Sequence, residues 1–184
     1  MKRAQIVVLS VLAGIMGVSM MSWTEQQPRT GYHSWEELIA MRGGEADNLP
    51  QNSNSVFTGS GRCGGCHGHD IDNFANVDLE GNDVNPTDDW RATMMANSAK
   101  DPFWQAKVTH EVAVNPDHQE VLEDKCTSCH APMGHYAAHF DGALSYSFAE
   151  MLTDSLALDG VSCGACHQIN EENAGEVFSG VLDF

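Results

Sequence analysis

Basic residues are scarce in this 184-residue chain: 9 Lys and Arg stand against 26 Asp and Glu, for a formal net charge of −17. That balance disfavours binding to nucleic acid or to an anionic membrane surface. It would attract a partner with a basic docking surface, in a way that salt weakens. Long apolar runs are also missing beyond the N-terminus, so any contact with a membrane is confined to residues Ile6–Trp23. No cysteine follows that run before Cys63, which excludes lipid attachment there. No fixed internal period suggests a solenoid. The apolar fraction, 42%, is slightly below that of an ordinary globular protein, and 17 glycines with many Asn, Asp and Ser point to extensive loops. A core of aliphatic side chains alone would be small, so something else is expected to fill the interior.

Unpaired cysteines are absent too. All six fall in three copies of Cys-x-x-Cys-His: Cys63/Cys66/His67, Cys126/Cys129/His130 and Cys163/Cys166/His167. Zinc ribbons use paired cysteines but need no histidine directly after each pair. A disulfide framework and a thioredoxin-like dithiol leave the same three histidines unexplained. The pattern is the attachment signature of c-type haem, in which two thiols hold the porphyrin and the next residue offers its imidazole to the iron. Three covalent haems, with His67, His130 and His167 as proximal iron ligands, are therefore expected.

The N-terminus agrees with this. Lys2 and Arg3 precede the uncharged run from Ile6, which reads as a secretory signal, and haem attachment of this kind follows export. Residues 1–23 are assigned to a signal peptide, with an uncleaved anchor as the alternative. Residues 24–55, containing Pro28, Gly43, Gly44 and Pro50, are read as a linker with one short helix around Trp35–Met41. Residues 56–184 form the haem-bearing domain. The expected location is the periplasm or the cell surface.

The domain should be mainly α with extensive loops, a haem-packed core and little or no regular sheet. Thr87 is a candidate N-cap for a helix running through Trp90, Met94 and Met95. Asp101-Pro102 starts a second helix and Asn115-Pro116 stops it. Phe103, Lys107, His110 and Val114 share one side of that helix, so His110 is expected on a rigid element close to bulky apolar residues. A third helix is expected from near Pro116 towards Cys126. Ser147 to Glu150 forms a capping box opening a helix through Leu156, which Asp159-Gly160 breaks before the third motif. Acid pairs such as Asp88/Asp89 point to different helix faces and are taken as solvated charge.

The second axial ligand decides whether a haem iron carries electrons or binds a substrate. Six histidines lie outside the motifs: His33, His69, His110, His118, His135 and His139. His110 is the leading distal candidate, because a helix bounded by proline signals supplies fixed geometry. His118 follows, and His33 ranks lowest. His69 is too near His67 in sequence to reach the opposite face of the same iron. His135 and His139 are spaced to share a helix face and could point into one inter-haem space. Met94, Met95 and Met133 are weaker candidates, since methionine at helical spacing more often packs a core.

Three segments carry a family resemblance: Trp90-Arg91-Ala92-Thr93-Met94-Met95-Ala96-Asn97-Ser98, Asp124 to Met133, and Asp159 to Gln168. On these the chain resembles the multihaem cytochromes of the cytochrome c-552/c-554 type. The resemblance implies electron transfer, a mainly helical structure and closely packed haems. Members commonly continue with further haem motifs, whereas 17 residues follow His167 here, which reads as a truncated or fragmentary product. The expected function is an exported triple-haem electron carrier. A haem enzyme or small-ligand binder with one open iron, or a subunit of a larger cytochrome assembly, is the alternative. Cys126 and Cys163, 37 residues apart, suggest the second and third motifs as the close pair.

Overall fold

Residues 49–68, 76–80, 82–171 and 182–184 are described by the structure, a computed structural model. The leader, the short helix expected at Trp35–Met41, His33 and His69 lie outside the described residues. Among those described, the fold is mainly helical, with two isolated β-bridges and no strand.

Helix α1 (Ser60–His67) ends on the first haem-type motif. Its N-cap residue, Gly59, provides no side-chain cap. A substitute comes from 99 residues away: Asp159 accepts the Ser60 backbone N–H at 2.9 Å and the Ser60 hydroxyl at 2.8 Å. A carboxylate at a helix N-terminus satisfies an otherwise orphaned N–H and meets the positive end of the helix dipole.

Helix α2 (Pro86–Arg91) is capped by Asn85, whose side chain accepts from the Asp88 N–H, and starts on Pro86. It is shorter than the sequence suggests, and Thr87 is not its cap. Thr87 instead donates its hydroxyl to the His67 carbonyl at 2.9 Å. The helix stops before Met94 and Met95 because side chains capture the next backbone groups. The Asn97 amide donates to the Arg91 and Thr93 carbonyls, and the Thr93 hydroxyl accepts from the Ala96 N–H. Met94 and Met95 sit in the resulting turns, both exposed.

Helix α3 (Pro102–Val114) has the expected ends: the Asp101 side chain caps it, Pro102 opens it and Asn115 closes it. Its buried residues are Trp104 and Val108, so the expected side of the helix is the outer one. Phe103 is 82% exposed, and His110 and Val114 are exposed beside it. His110 thus sits on a rigid element but not against the protein core. A short 3-10 turn (Pro116–His118) leads into α4 (Gln119–His130), which carries the entire second motif on its last turns.

Helix α5 (Pro132–Phe140) follows at once and packs against α4, while α4 also packs against α3. The capping box at Ser147 and Glu150 forms, but α6 (Phe148–Met151) is a single turn and does not reach Leu156. The Asp154 carboxylate takes the Leu156 N–H at 2.9 Å, an Asx turn that competes with helix continuation. A 3-10 turn (Ala157–Asp159) then reaches Gly160 and α7 (Cys163–His167), the third motif.

Two apolar clusters hold these elements. One joins Trp104 and Val108 of α3 to Ala131, Tyr146, Met151 and Ala157. The other joins Phe57 to Met133 and Ala137 of α5, Leu156 and Ala165 of α7. Gly160 has φ +68°, and a Cβ there would lie 2.6 Å from the Met95 carbonyl oxygen. Gly160→Ala is therefore expected to lower stability by about 2 kcal/mol, combining left-handed strain with a backbone clash. Thermal unfolding of the protein, followed by far-UV circular dichroism, checks this.

Candidate haem sites

Each Cys-x-x-Cys-His motif adopts the same local form. The residues occupy the final turns of α1 and α4 and the whole of α7, with the histidine as the last helical residue in every case. At 3.6 residues per turn, positions i, i+3 and i+4 lie on one side of the helix, so two thiols and an imidazole are presented together. None of the six cysteines is paired in a disulfide. Burial pushes the Cys163 thiol up to about 11, with the neighbouring Cys63 adding to the effect, and burial also raises Cys126. Thiols held protonated at neutral pH are poor candidates for dithiol exchange chemistry.

The two thiols of a motif are not equivalent. Cys63, Cys126 and Cys163 are half-buried, whereas Cys66, Cys129 and Cys166 are exposed. The physical reason is the helical rotation between them. Three residues bring the second thiol back about 60° short of a whole number of turns, so the first turns towards the protein and the second towards solvent. In each motif the outer thiol is thus the accessible one of the pair.

The first and third motifs come together. Helix α1 packs against α7, and a cavity of about 510 Å³ is lined by Cys63 and His67 from one motif and Cys163 and His167 from the other, with Thr58 and Pro86 on its walls. Cys66 and Cys166 are not among its lining residues, in keeping with their outward rotation. This corrects the pairing expected from sequence separation, which favoured the second and third motifs. The Asp159–Ser60 hydrogen bonds fasten the approach to the third motif against the start of α1.

His130, in the second motif, is held in one orientation by its described neighbours. Its Nδ1 lies 3.1 Å from the Ser98 carbonyl oxygen, which can only accept, so Nδ1 carries the proton and a metal bound by this ring takes Nε2. The Ser98 hydroxyl returns a hydrogen bond to the His130 carbonyl at 2.8 Å. The indole of Trp104 stacks on the imidazole, with centroids 4.3 Å apart and planes 8° from parallel. Sequence reasoning did not single out Ser98 or Trp104 for this role. Ser98 does close the Trp90–Ser98 segment that carries the family resemblance, and that was the available signal. The same segment reaches the third motif, where Trp90 Nε1 donates to the Val161 carbonyl at 2.9 Å and the Val161 N–H donates to the Met95 carbonyl at 3.0 Å.

The remaining candidates are scattered. His110 and His118 are exposed on α3 and the following turn. Met94 is 86% exposed, whereas Met133 is fully buried and its sulfur accepts the Ser162 hydroxyl at 2.8 Å. His135 and His139 do share a face of α5, and both turn towards Asp124 of α4. His139 Nε2 is 2.7 Å and His135 Nδ1 3.5 Å from the same Asp124 oxygen. Burial outweighs the attraction of that carboxylate and pushes His135 down to about 4, so its imidazole is neutral at ordinary pH.

These residues fit covalently held haem. Cys63 and Cys163 flank a cavity whose volume lies within the ordinary range of ligand pockets, roughly 300–1,000 Å³. A porphyrin is broad enough to span from an inner thiol to the outer one beside it, covering the side of the helix on which Cys66, Cys129 and Cys166 are now exposed. Cys63/Cys66, Cys126/Cys129 and Cys163/Cys166 would hold the porphyrins and His67, His130 and His167 would face the irons. The group supplies an iron that changes oxidation state by one electron. The protein supplies imidazole orientation and exclusion of water.

No curated protein and no solved structure matches the chain. The family model for cytochrome c554 and c-prime matches residues 62–168, more than half the chain, from the residue before Cys63 to the residue after His167. All three motifs, the Ser98 and Trp104 supports of His130, and the Asp159 anchor lie inside that span. Its fold, its motif geometry and this match together make the chain a member of the cytochrome c554 and c-prime family, a c-type cytochrome that carries electrons.

Proposed function

We propose that the chain carries three c-type haems, one on each motif, and passes electrons between redox partners outside the cytoplasm. The observation that carries this reading is the shared cavity, where cysteine and histidine of the first motif face cysteine and histidine of the third. Two haems held across such a space would lie close enough to exchange electrons. The second motif, joined to the third through the Trp90–Ser98 segment, extends the path. His110, exposed beside Phe103 and Val114 on α3, is the leading distal ligand in this reading, because it stands on a rigid helix beside an exposed apolar strip.

Export is part of the proposal and rests on the Lys2-Arg3 leader and on the attachment chemistry. The acidic balance, −17, favours redox partners with basic docking surfaces and disfavours nucleic acid. Contact with the membrane is limited to the N-terminal run if it stays uncleaved.

A pyridine haemochrome assay on the export-matured protein should count three haems per chain. Low-temperature EPR of the oxidised form should give low-spin ferric signals from every iron. A count below three removes the triple-haem reading, and a high-spin signal places an open, ligand-binding iron in the protein and sets pure electron transfer aside.

A further inference from the structure

We propose that Asp124, His135 and His139 form a non-haem site for a divalent first-row cation of the zinc type, separate from the three motifs. His135 and His139 are four residues apart on α5, a spacing that stacks two imidazoles on one helix face and lets both reach one ion. Their ring centroids are 4.4 Å apart. Asp124 faces them from the preceding helix, and one ligand-capable atom from each of the three residues lies within 4.8 Å of the others. Ligands of a tetrahedral zinc, at roughly 2.0–2.2 Å from the ion, are about 3.4 Å from one another. Closure on an ion therefore asks for movements on the order of 1 Å, which side-chain rotation supplies.

The surroundings have the features that orient metal ligands. The Tyr146 backbone N–H donates to Asp124 Oδ1 at 2.8 Å, which fixes the carboxylate. The Thr127 hydroxyl lies 3.2 Å from His135 Nδ1 and also bonds the α4 backbone, which fixes that ring. His135 is 6% exposed, while His139 and Asp124 are half-buried, so the site has a protected floor and an open side. Two imidazoles and one carboxylate suit zinc and leave a fourth position to solvent. Binding at His139 Nε2 replaces the hydrogen bond that now joins it to Asp124 Oδ1, the neutral ring keeping its one proton on Nδ1.

The alternative use of these imidazoles, as axial ligands of a haem iron, gives a different experimental outcome. Untagged, haem-loaded protein dialysed against Zn²⁺ and desalted should hold one zinc per chain by mass spectrometric metal analysis, in addition to haem iron. Asp124→Asn and His139→Gln should each weaken zinc affinity on the order of a hundredfold, at the upper end of the loss that outer partners alone cause. Both variants should keep the wild-type haem count and every low-spin ferric EPR signal, which also shows that they fold. Absence of zinc, or equal zinc in wild type and both variants, overturns the proposal. Loss of a low-spin signal in His139→Gln or His135→Gln overturns it as well, by assigning that imidazole to a haem. A haem count below three with zinc binding intact would instead remove only the triple-haem reading.

Discussion

Trp104→Ala is expected to lower the unfolding free energy of the protein by about 4 kcal/mol, in the range found when a buried tryptophan is truncated. The indole is only 8% exposed and sits in the larger apolar cluster with Val108, Ala131 and Met151, so its removal leaves a cavity that these neighbours can only partly close. A second effect follows from the stacking on His130. Without the indole, the ring keeps its Nδ1–H bond to Ser98 but loses the face that fixes its rotation. Denaturant unfolding measures the first effect, and the EPR g-values of a haem held at the second motif, as proposed, would measure the second. Trp104→Phe keeps an aromatic face and should recover the wild-type g-values while remaining less stable than wild type. Unchanged g-values in Trp104→Ala would reduce the tryptophan to a packing residue.

Asp159→Ala is expected to cost about 3 kcal/mol, from two hydrogen bonds to a buried carboxylate and the orphaned Ser60 N–H they leave behind. The value stays below the full sum because burial already works against the charge. Burial is the largest influence on this carboxyl and raises its pKa, while the bonds from Ser60 and Ser162 pull it down. Since the folded pKa lies above the unfolded value, about 3.9, the folded chain binds the proton more readily. That contribution is full below the unfolded value and is lost as pH rises through the folded one. Asp159→Asn should remove this acid-side slope, so the stability difference between wild type and variant should shrink with rising pH just above pH 4. Hydrogen exchange at the Ser60 amide should speed up in Asp159→Ala. An Asp159→Ala chain as stable as wild type, with the Ser60 amide still protected, would remove the carboxylate as the cap of α1.

Several features of the fold were legible in short stretches of sequence because neighbours within four residues decide them. Asp101-Pro102 opens α3 and Asn115-Pro116 closes it as expected, and the Ser147–Glu150 box forms. The lengths of helices were less legible. Thr93 and Asn97 end one helix early and Asp154 ends another, through side-chain bonds to the backbone that compete with regular structure. Hydrophobic spacing on α3 was ambiguous, since apolar residues occupy two sides of the helix. Packing against α4 chose Trp104 and Val108 and left Phe103, His110 and Val114 outside. The motifs show the same division. Their spacing sets the two thiols about 60° apart on one side of a helix, and packing then decides that Cys63, Cys126 and Cys163 are the half-buried ones and Cys66, Cys129 and Cys166 the exposed ones.

The sequence by itself determined the chemistry of the motifs: two thiols and an imidazole at i, i+3 and i+4 converge on one side of any helix they occupy, whatever surrounds it. It also determined the acidic charge and the mainly helical class. The tertiary structure alone decided that the first and third motifs share a cavity, that Asp159 caps a helix 99 residues earlier, that Ser98 and Trp104 orient His130, and that Asp124 meets His135 and His139. Each of these joins groups on different elements. Their meeting depends on how buried faces stack and how the chain returns at Gly160, and no local preference encodes that.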